Sequence, residues 1–265
     1  MRLTKHHGLG NDFLVVLDLD GTHPVGPADA VALCHRRTGI GADGLLHVTA
    51  AAGDADVSMA LFNADGSRAE MSGNGIRCLA QAVFQAEVAP PPVLRVATDA
   101  GLRTVRFVAQ RSPATQRMSV EMGQAKVVDP DADRPSPAVR RAARVDVGNP
   151  HLVLEWSGDE LPATDVLVAL AAPIDEATPG GANVEVIITR AEGAIDMVVY
   201  ERGVGPTQAC GTGACAVAAA VHEWGLGGLS TTVRMPGGPV DVTLGDPVLL
   251  TGDVTSVARL DAPWP

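Results

Sequence analysis

Residues 72–75 read Ser-Gly-Asn-Gly and residues 210–213 read Cys-Gly-Thr-Gly, and each opens an apolar, helix-forming run. An aromatic residue, Phe62 or Tyr200, precedes each stretch by ten positions. The spacing recurs elsewhere: 149 − 11, 200 − 62 and 210 − 72 all equal 138. The same shift pairs Gly10 with Gly148, Asn63 with Glu201, Gly73 with Gly211 and Gly75 with Gly213. One match is chance; several at one offset indicate a chain built twice, as two lobes of one design facing each other across a cleft. Element order in each half is strand, loop, helix, strands, central helix, strands, an α+β pattern rather than a βαβ alternation.

Apolar periodicity and turn residues place helices at 27–37, 73–85 and 163–171, and another directly after Cys210. The first begins on Pro27 and ends in His-Arg-Arg, which suits a helix dipole. Strands are expected at 45–49, 57–62, 93–97, 104–109, 118–122, 143–147, 152–156, 184–189, 194–200, 233–235, 240–244 and 248–251. Residues 38–44 and 129–138 read as loops, 90–92 as a proline stop, and 112–116 as a polar break that is a candidate lobe boundary.

A cysteine at a helix N-terminus sits on unpaired N–H groups and the positive end of a dipole. That setting is expected to lower the Cys210 thiol from about 8.5 towards ~3.5–7.5, and the same N–H groups form an anion site. The plainer alternative is a Gly-rich strand–helix turn holding a structural cysteine. Two facing helix ends would aim the side chains of residues 72 and 210 at one ligand. Were both thiols, one could remove a proton and the other return one on the opposite face, inverting a stereocentre.

The formal charge of −11 and the lack of a basic stripe argue against nucleic acid. No run reaches the ~18 apolar residues of a membrane helix, and the N-terminus lacks an apolar signal core, so a cytoplasmic protein is expected. The four cysteines (34, 78, 210, 215) have neither disulfide nor zinc spacing. With no phosphate loop, no metal constellation and only Lys5 and Lys126 as lysines, neither a cofactor nor a metal is expected.

The stretches 7–13 (HGLGNDF), 38–44 (TGIGADG), 63–78 (NADGSRAEMSGNGIRC), 148–151 (GNPH), 183–185 (NVE), 200–216 (YERGVGPTQACGTGACA), 236–238 and 251–252 resemble the diaminopimelate epimerase family. They follow the family's order and cover essentially the whole chain. The resemblance implies an α+β fold of two pseudo-symmetric lobes, each a mostly antiparallel sheet wrapped around a central helix, with the active site in the cleft between them. Residues 1–115 would form the N-terminal lobe, with a tail at about 258–265 packing there, and 116–257 the C-terminal lobe. The implied activity is cofactor-independent interconversion of L,L- and meso-diaminopimelate, in lysine and peptidoglycan precursor biosynthesis.

The resemblance also assigns roles. Asn11, Asn63, Asn149 and Asn183 would bond the amino-acid ends of the substrate, and Arg202 its distal carboxylate. Glu201 would contact the distal ammonium and lie near Cys210. Gly73, Asn74, Gly211 and Thr212 would bind the reacting α-carboxylate, and His151 would assist residue 72. Read without the family, the asparagines are turn formers, Glu201–Arg202 a solvated pair at a strand end and His151 a surface histidine. Family members are often dimers, but no stretch marks an interface.

Ser72 departs from the family, which has its second catalytic cysteine there. A hydroxyl is nearly isosteric but far too weak an acid for a helix dipole to ionise, so two-base epimerisation should be impaired. Cys78 lies about 1.7 turns into the helix and should face the core. Four explanations fit: an engineered Cys→Ser change, a natural variant using Ser72 with His151 or water, one-base chemistry such as elimination, or loss of catalysis with retained binding. The alternatives for function are a racemase or dehydratase of another amino acid on this fold, and a non-catalytic diaminopimelate-binding protein.

Overall fold

A computed structural model describes residues 1–86, 92–190 and 193–263, so the expected stop at Pro90 and Pro91 and the last two residues of the tail lie outside the described residues. The chain divides into two compact units: Met1–Glu121 with the segment from Gly252 onward, and Met122–Thr251.

In the first unit, β1 (Arg2–Gly8) and β2 (Asn11–Asp18) form a hairpin. Its two-residue turn has positive φ at Leu9 (56°) and Gly10 (83°), the combination that follows the strand twist. Helix α1 (Pro27–Cys34) then crosses over, so β3 (Gly44–Ala50) lies parallel to β2. β4 (Val57–Asn63) returns antiparallel and pairs with the short β5 (Arg68–Ala69). Helix α2 (Gly73–Ala86) is the second crossover, placing β6 (Val93–Thr98) parallel to β4. β7 (Gly101–Gln110) and β8 (Thr115–Gly123) complete an antiparallel run. Every residue of α2 from Gly73 to Phe84 is buried, as expected of a helix enclosed by sheet rather than laid on it.

The second unit repeats this plan. After β9 (Lys126–Asp129), β10 (Val139–Asp146) and β11 (Pro150–Trp156) form the hairpin. α3 (Thr164–Ala177) crosses to the parallel β12 (Asn183–Thr189), then come β13 (Ile195–Glu201) and β14 (Gly205–Thr207). α4 (Gly211–Glu223) leads to β15 (Ser230–Met235), parallel to β13, and then β16 (Gly238–Thr243) and β17 (Val248–Asp261). The shift of 138 carries the bounds of β4 onto those of β13 (195 − 57 and 201 − 63), and the pair Phe62–Arg68 onto Tyr200–Pro206. The duplication thus extends to strand register. α4 packs on β9 to β12, β15 and β16, and its run of Ala214, Ala216, Ala218, Ala219 and Ala220 keeps it narrow enough for strands on several sides. The later part of β17 belongs to the first unit, where it pairs with β1 from Arg2–Asp261 to His7–Thr255.

Four expectations need correction. α1 ends at Cys34 rather than 37, because the Ile40 and Gly41 N–H groups fold back onto the Leu33 carbonyl and Ala42 onto that of Cys34. Gly39 permits this: a Cβ there would lie 2.2 Å from the Ala32 oxygen. α3 runs six residues past 171, through Pro173, and stops where the Thr178 hydroxyl caps the Ile174 carbonyl at 2.7 Å. Residues 126–129 form β9, paired with β10, where the residues alone point to no strand. β17 spans 14 residues instead of four, because its polar positions alternate with buried ones through Val254.

Candidate active site

Within the first unit, the turn after β5 delivers Ser72 to the head of α2. The Ser72 carbonyl accepts from Ile76 N (2.9 Å) and its hydroxyl from Gly75 N (3.0 Å), which makes it the N-cap. Gly73 and Asn74 begin the helix, where N–H groups lack intrahelical acceptors. The buried Asn74 amide accepts from the fully buried Arg77 (2.6 Å) and donates to Asn11 (3.3 Å). Asn11 in turn donates to Asp43 (2.9 Å). Arg36 bridges Asp12 (2.8 Å) and Asp43 (2.6 Å), and Lys5 lies 2.9 Å from Asp12. Burial alone would raise the Asp12 carboxyl, but hydrogen bonds from Arg36 and Lys5 hold it at about 2. So Arg36, expected on a helix dipole, instead tethers the loop that carries Asp43. Asn63 ends β4 and bonds Ser67 (2.9 Å).

In the second unit the same position of the repeat holds Cys210, the N-cap of α4. Its Sγ accepts from Gly213 N at 3.3 Å and contacts the Thr212 hydroxyl at 3.4 Å. Gly211 and Thr212 supply the free first-turn N–H groups. Near the thiol stand two carboxyl groups from two strands, one of them bonded to a histidine of a third. Glu201, at the end of β13, bonds the thiol and accepts from Thr207. Glu185 of β12 and His151 of β11 have wholly buried side chains joined at 2.7 Å. The other His151 nitrogen faces Asn149 Oδ1 at 3.0 Å. Asn183 receives the Arg202 N–H (3.0 Å) and donates to the Pro150 carbonyl (3.3 Å), so it sets the backbone that carries Arg202. The exposed Arg202 guanidinium bonds the Gly180 carbonyl (3.2 Å) and has no carboxylate partner among the described residues. A cavity of about 410 Å³ in this unit is lined by Arg144, Asp146, Asn149, His151 and Thr178, among others.

The expected low thiol pKa at Cys210 is overturned. Burial pushes the thiol well above its usual range, and the charges of Glu201 and Glu185 push it further. Bonds from Thr212 and Gly213 pull the other way and do not prevail. Glu201 is also raised, by burial first and by Glu185 next. Burial and the neighbouring carboxyl thus favour the uncharged form of both Cys210 and Glu201. Cys78 is core-facing as expected, and burial pushes its thiol up to about 12.

The structure gathers Cys210, Glu201, His151, Asn149, Thr212 and Gly211 in the second unit, and Ser72, Gly73, Asn74 and Asn11 in the first. Sequence reasoning missed Glu185. Its signal was present in the motif Asn183-Val-Glu185, where a carboxylate interrupts an apolar strand. It also missed the Asp12–Arg36–Asp43 bridge, because those residues lie in separate segments.

Residues 3–128 and 143–257 match the family model for diaminopimelate epimerase. A diaminopimelate epimerase of Mycolicibacterium vanbaalenii is 40% identical over 269 residues, covering 93% of this chain and 91% of that protein. One from Thermobifida fusca is 37% identical, covering 98% of this chain and 97% of that protein. Among solved structures, a probable proline racemase from Agrobacterium radiobacter superposes with a TM-score of 0.77 at 18% identity, over 100% of this chain and 93% of that one. A hydroxyproline epimerase from Agrobacterium vitis gives 0.74 at 19%, over 99% and 93%. These two establish the fold, and the sequence matches establish more: the chain belongs to the diaminopimelate epimerase family.

Proposed function

We propose that this protein is a cofactor-independent isomerase that interconverts L,L- and meso-diaminopimelate, serving lysine and peptidoglycan precursor synthesis in the cytoplasm. One observation carries the reading. The same N-cap occurs twice, at 72 and 210, each with a proton-bearing side chain that accepts from the third helical N–H. Each is followed by the first-turn N–H groups of a helix head, the right furniture for an α-carboxylate whose charge grows as the α-proton leaves.

Cys210 is the proton-transfer group of the second unit. With its thiol protonated, it donates to a carbanionic α-carbon directly. To abstract, it first yields its proton to Glu201, and the substrate's ammonium favours that shift by stabilising the negative charge that moves from the carboxylate to sulfur. Arg202 takes the distal carboxylate as a bidentate partner. That preference separates diaminopimelate from an amino acid with an uncharged side chain, which would leave the guanidinium unpaired. Ser72 is the handicapped member: its hydroxyl caps Gly75 and can donate a proton, but it does not ionise near neutral pH. Turnover is therefore slow. A homodimer is the expected assembly.

The test is NMR of α-proton exchange in deuterated water with each diaminopimelate stereoisomer, beside Cys210→Ser. Exchange that is confined to one isomer and abolished by Cys210→Ser is the expected result. Calorimetric binding of diaminopimelate without any exchange would replace this reading with a binding protein. Exchange that survives Cys210→Ser would remove Cys210 from the chemistry.

A further inference from the structure

The two units share a backbone plan but not the side chains around their N-caps. The shift of 138 places Phe13 where the second unit has His151, His47 where it has Glu185, and Asn63 where it has Glu201. Phe13 presents its ring to Gly75, 3.5 Å from where a Cβ would stand. His47 is engaged by Asp18 at 3.0 Å, and Asn63 by Ser67. His47 is the one titratable replacement and is turned to Asp18, so no carboxyl–imidazole–carboxyl trio forms at the corresponding positions of the first unit.

Glu185 is the least expected of the three. Its side chain is wholly buried, where a carboxylate is costly unless it is paired. One oxygen has a partner, His151 Nδ1, while Oε2 is buried with no hydrogen-bond partner. The carboxyl also presses against the first turn of α4: a Cβ on Gly213 would lie 2.6 Å from Oε1. The second glycine of Cys-Gly-Thr-Gly thus makes room for this carboxylate as well as for a ligand. A buried charge held at such cost beside Cys210 calls for a role other than stability.

We propose that Glu185 is a positioning residue for the proton-transfer site of the second unit, fixing His151 through Nδ1–H so that Nε2 faces Asn149 and the cavity, and setting a second carboxyl beside Cys210 at the head of α4. The proposal rests on the reading of Cys210 as the proton-transfer group. The geometry explains its two effects. Accepting from Nδ1–H fixes one ring orientation, with Nε2 set opposite Asn149 Oδ1. A negative charge beside a second carboxyl, Glu201, and a thiol opposes placing another negative charge on sulfur. The groups acting on Cys210 are Glu201 from β13 and Glu185 from β12, with Thr212 and Gly213 from its own helix, while His151 from β11 bonds Glu185. Of these, Glu185 alone touches both the imidazole and the helix head.

Two measurements need no diaminopimelate, so they separate this proposal from the proposed activity. The first is 15N NMR of the unaltered protein, in which the His151 Nδ1 should carry a proton protected from exchange with water. An unprotonated Nδ1 would overturn the proposal. The second is the pH dependence of iodoacetamide labelling at Cys210, followed by mass spectrometry in Glu185→Gln. Loss of the charge should move the labelling midpoint to lower pH and speed labelling at least tenfold at fixed pH. In Glu185→Asp, one methylene shorter, the His151 signature should be lost while the labelling midpoint stays close to that of the unaltered protein. A Glu185→Gln protein that folds and labels like the unaltered one would overturn the charge effect, and Glu185→Asp with an unchanged imidazole spectrum would overturn the positioning. Should Glu185→Gln fail to fold, the NMR of the unaltered protein still decides.

Discussion

Ser72→Cys is the sharpest perturbation available. In the structure Ser72 Oγ caps Gly75 N at 3.0 Å, and its counterpart Cys210 makes the same cap through sulfur at 3.3 Å. A thiol can therefore take over the cap, and the stability cost should fall below the ~0.5–2 kcal/mol of removing a cap outright. A loss of ~1 kcal/mol would lower the melting temperature by only about 2–4 °C. The gain in rate should be far larger. Positioned acid–base groups contribute ~10²–10⁴-fold, or about 3–5 kcal/mol of barrier. The new thiol would also differ from Cys210, because Phe13 and Asn63 stand where Cys210 has His151 and Glu201. It should ionise at lower pH than Cys210 and react first with iodoacetamide. The assay is paired: epimerisation rate and α-proton exchange for both diaminopimelate isomers, with peptide mapping of the labelled thiol. Expected are a rate increase of two to four decades and exchange into both isomers. An unchanged rate, or fast symmetric exchange already present with Ser72, would refute the view of this serine as the missing base.

Two further predictions concern pH. His6 is buried against Gln81 at 2.8 Å, and burial lowers its pKa to about 4. A folded-state value below the unfolded ~6.5 means that the unfolded chain binds the proton first, so stability should decline as pH falls from about 6.5 towards 4. Guanidinium unfolding of His6→Leu should lack that slope, and an identical slope would assign it to other groups. Asp12 behaves differently, since its value of about 2 lies below an unfolded ~3.9. Its contribution, at most ~2 kcal/mol, is fully present above about pH 4 and is lost between about 4 and 2. Asp12→Asn should thus be the less stable protein at pH 7 and should converge on the unaltered one near pH 2; a constant difference across that range would disprove the pairing with Arg36 and Lys5.

The sequence by itself determined the duplicated plan. Glycines, helix-opening motifs and apolar runs are local features, and a repeat at a fixed offset needs no knowledge of packing to be seen. The N-cap roles of Ser72 and Cys210 follow from the same local logic, since a cap is decided within one helical turn. Local reasoning failed where distant segments meet. The end of α1 was misplaced because residues 39–42 fold back on its last carbonyls and Arg36 is drawn to Asp12 and Asp43. The longer error was at Cys210. A helix head taken alone lowers a thiol, but only the fold decides that strands β11, β12 and β13 bring His151, Glu185 and Glu201 to it and bury the sulfur among them. Burial and neighbouring charge outweigh the dipole because they act at contact distance in a medium from which water is excluded. The sequence thus names the thiol and the serine that stands as its counterpart, and tertiary structure decides which form that thiol rests in.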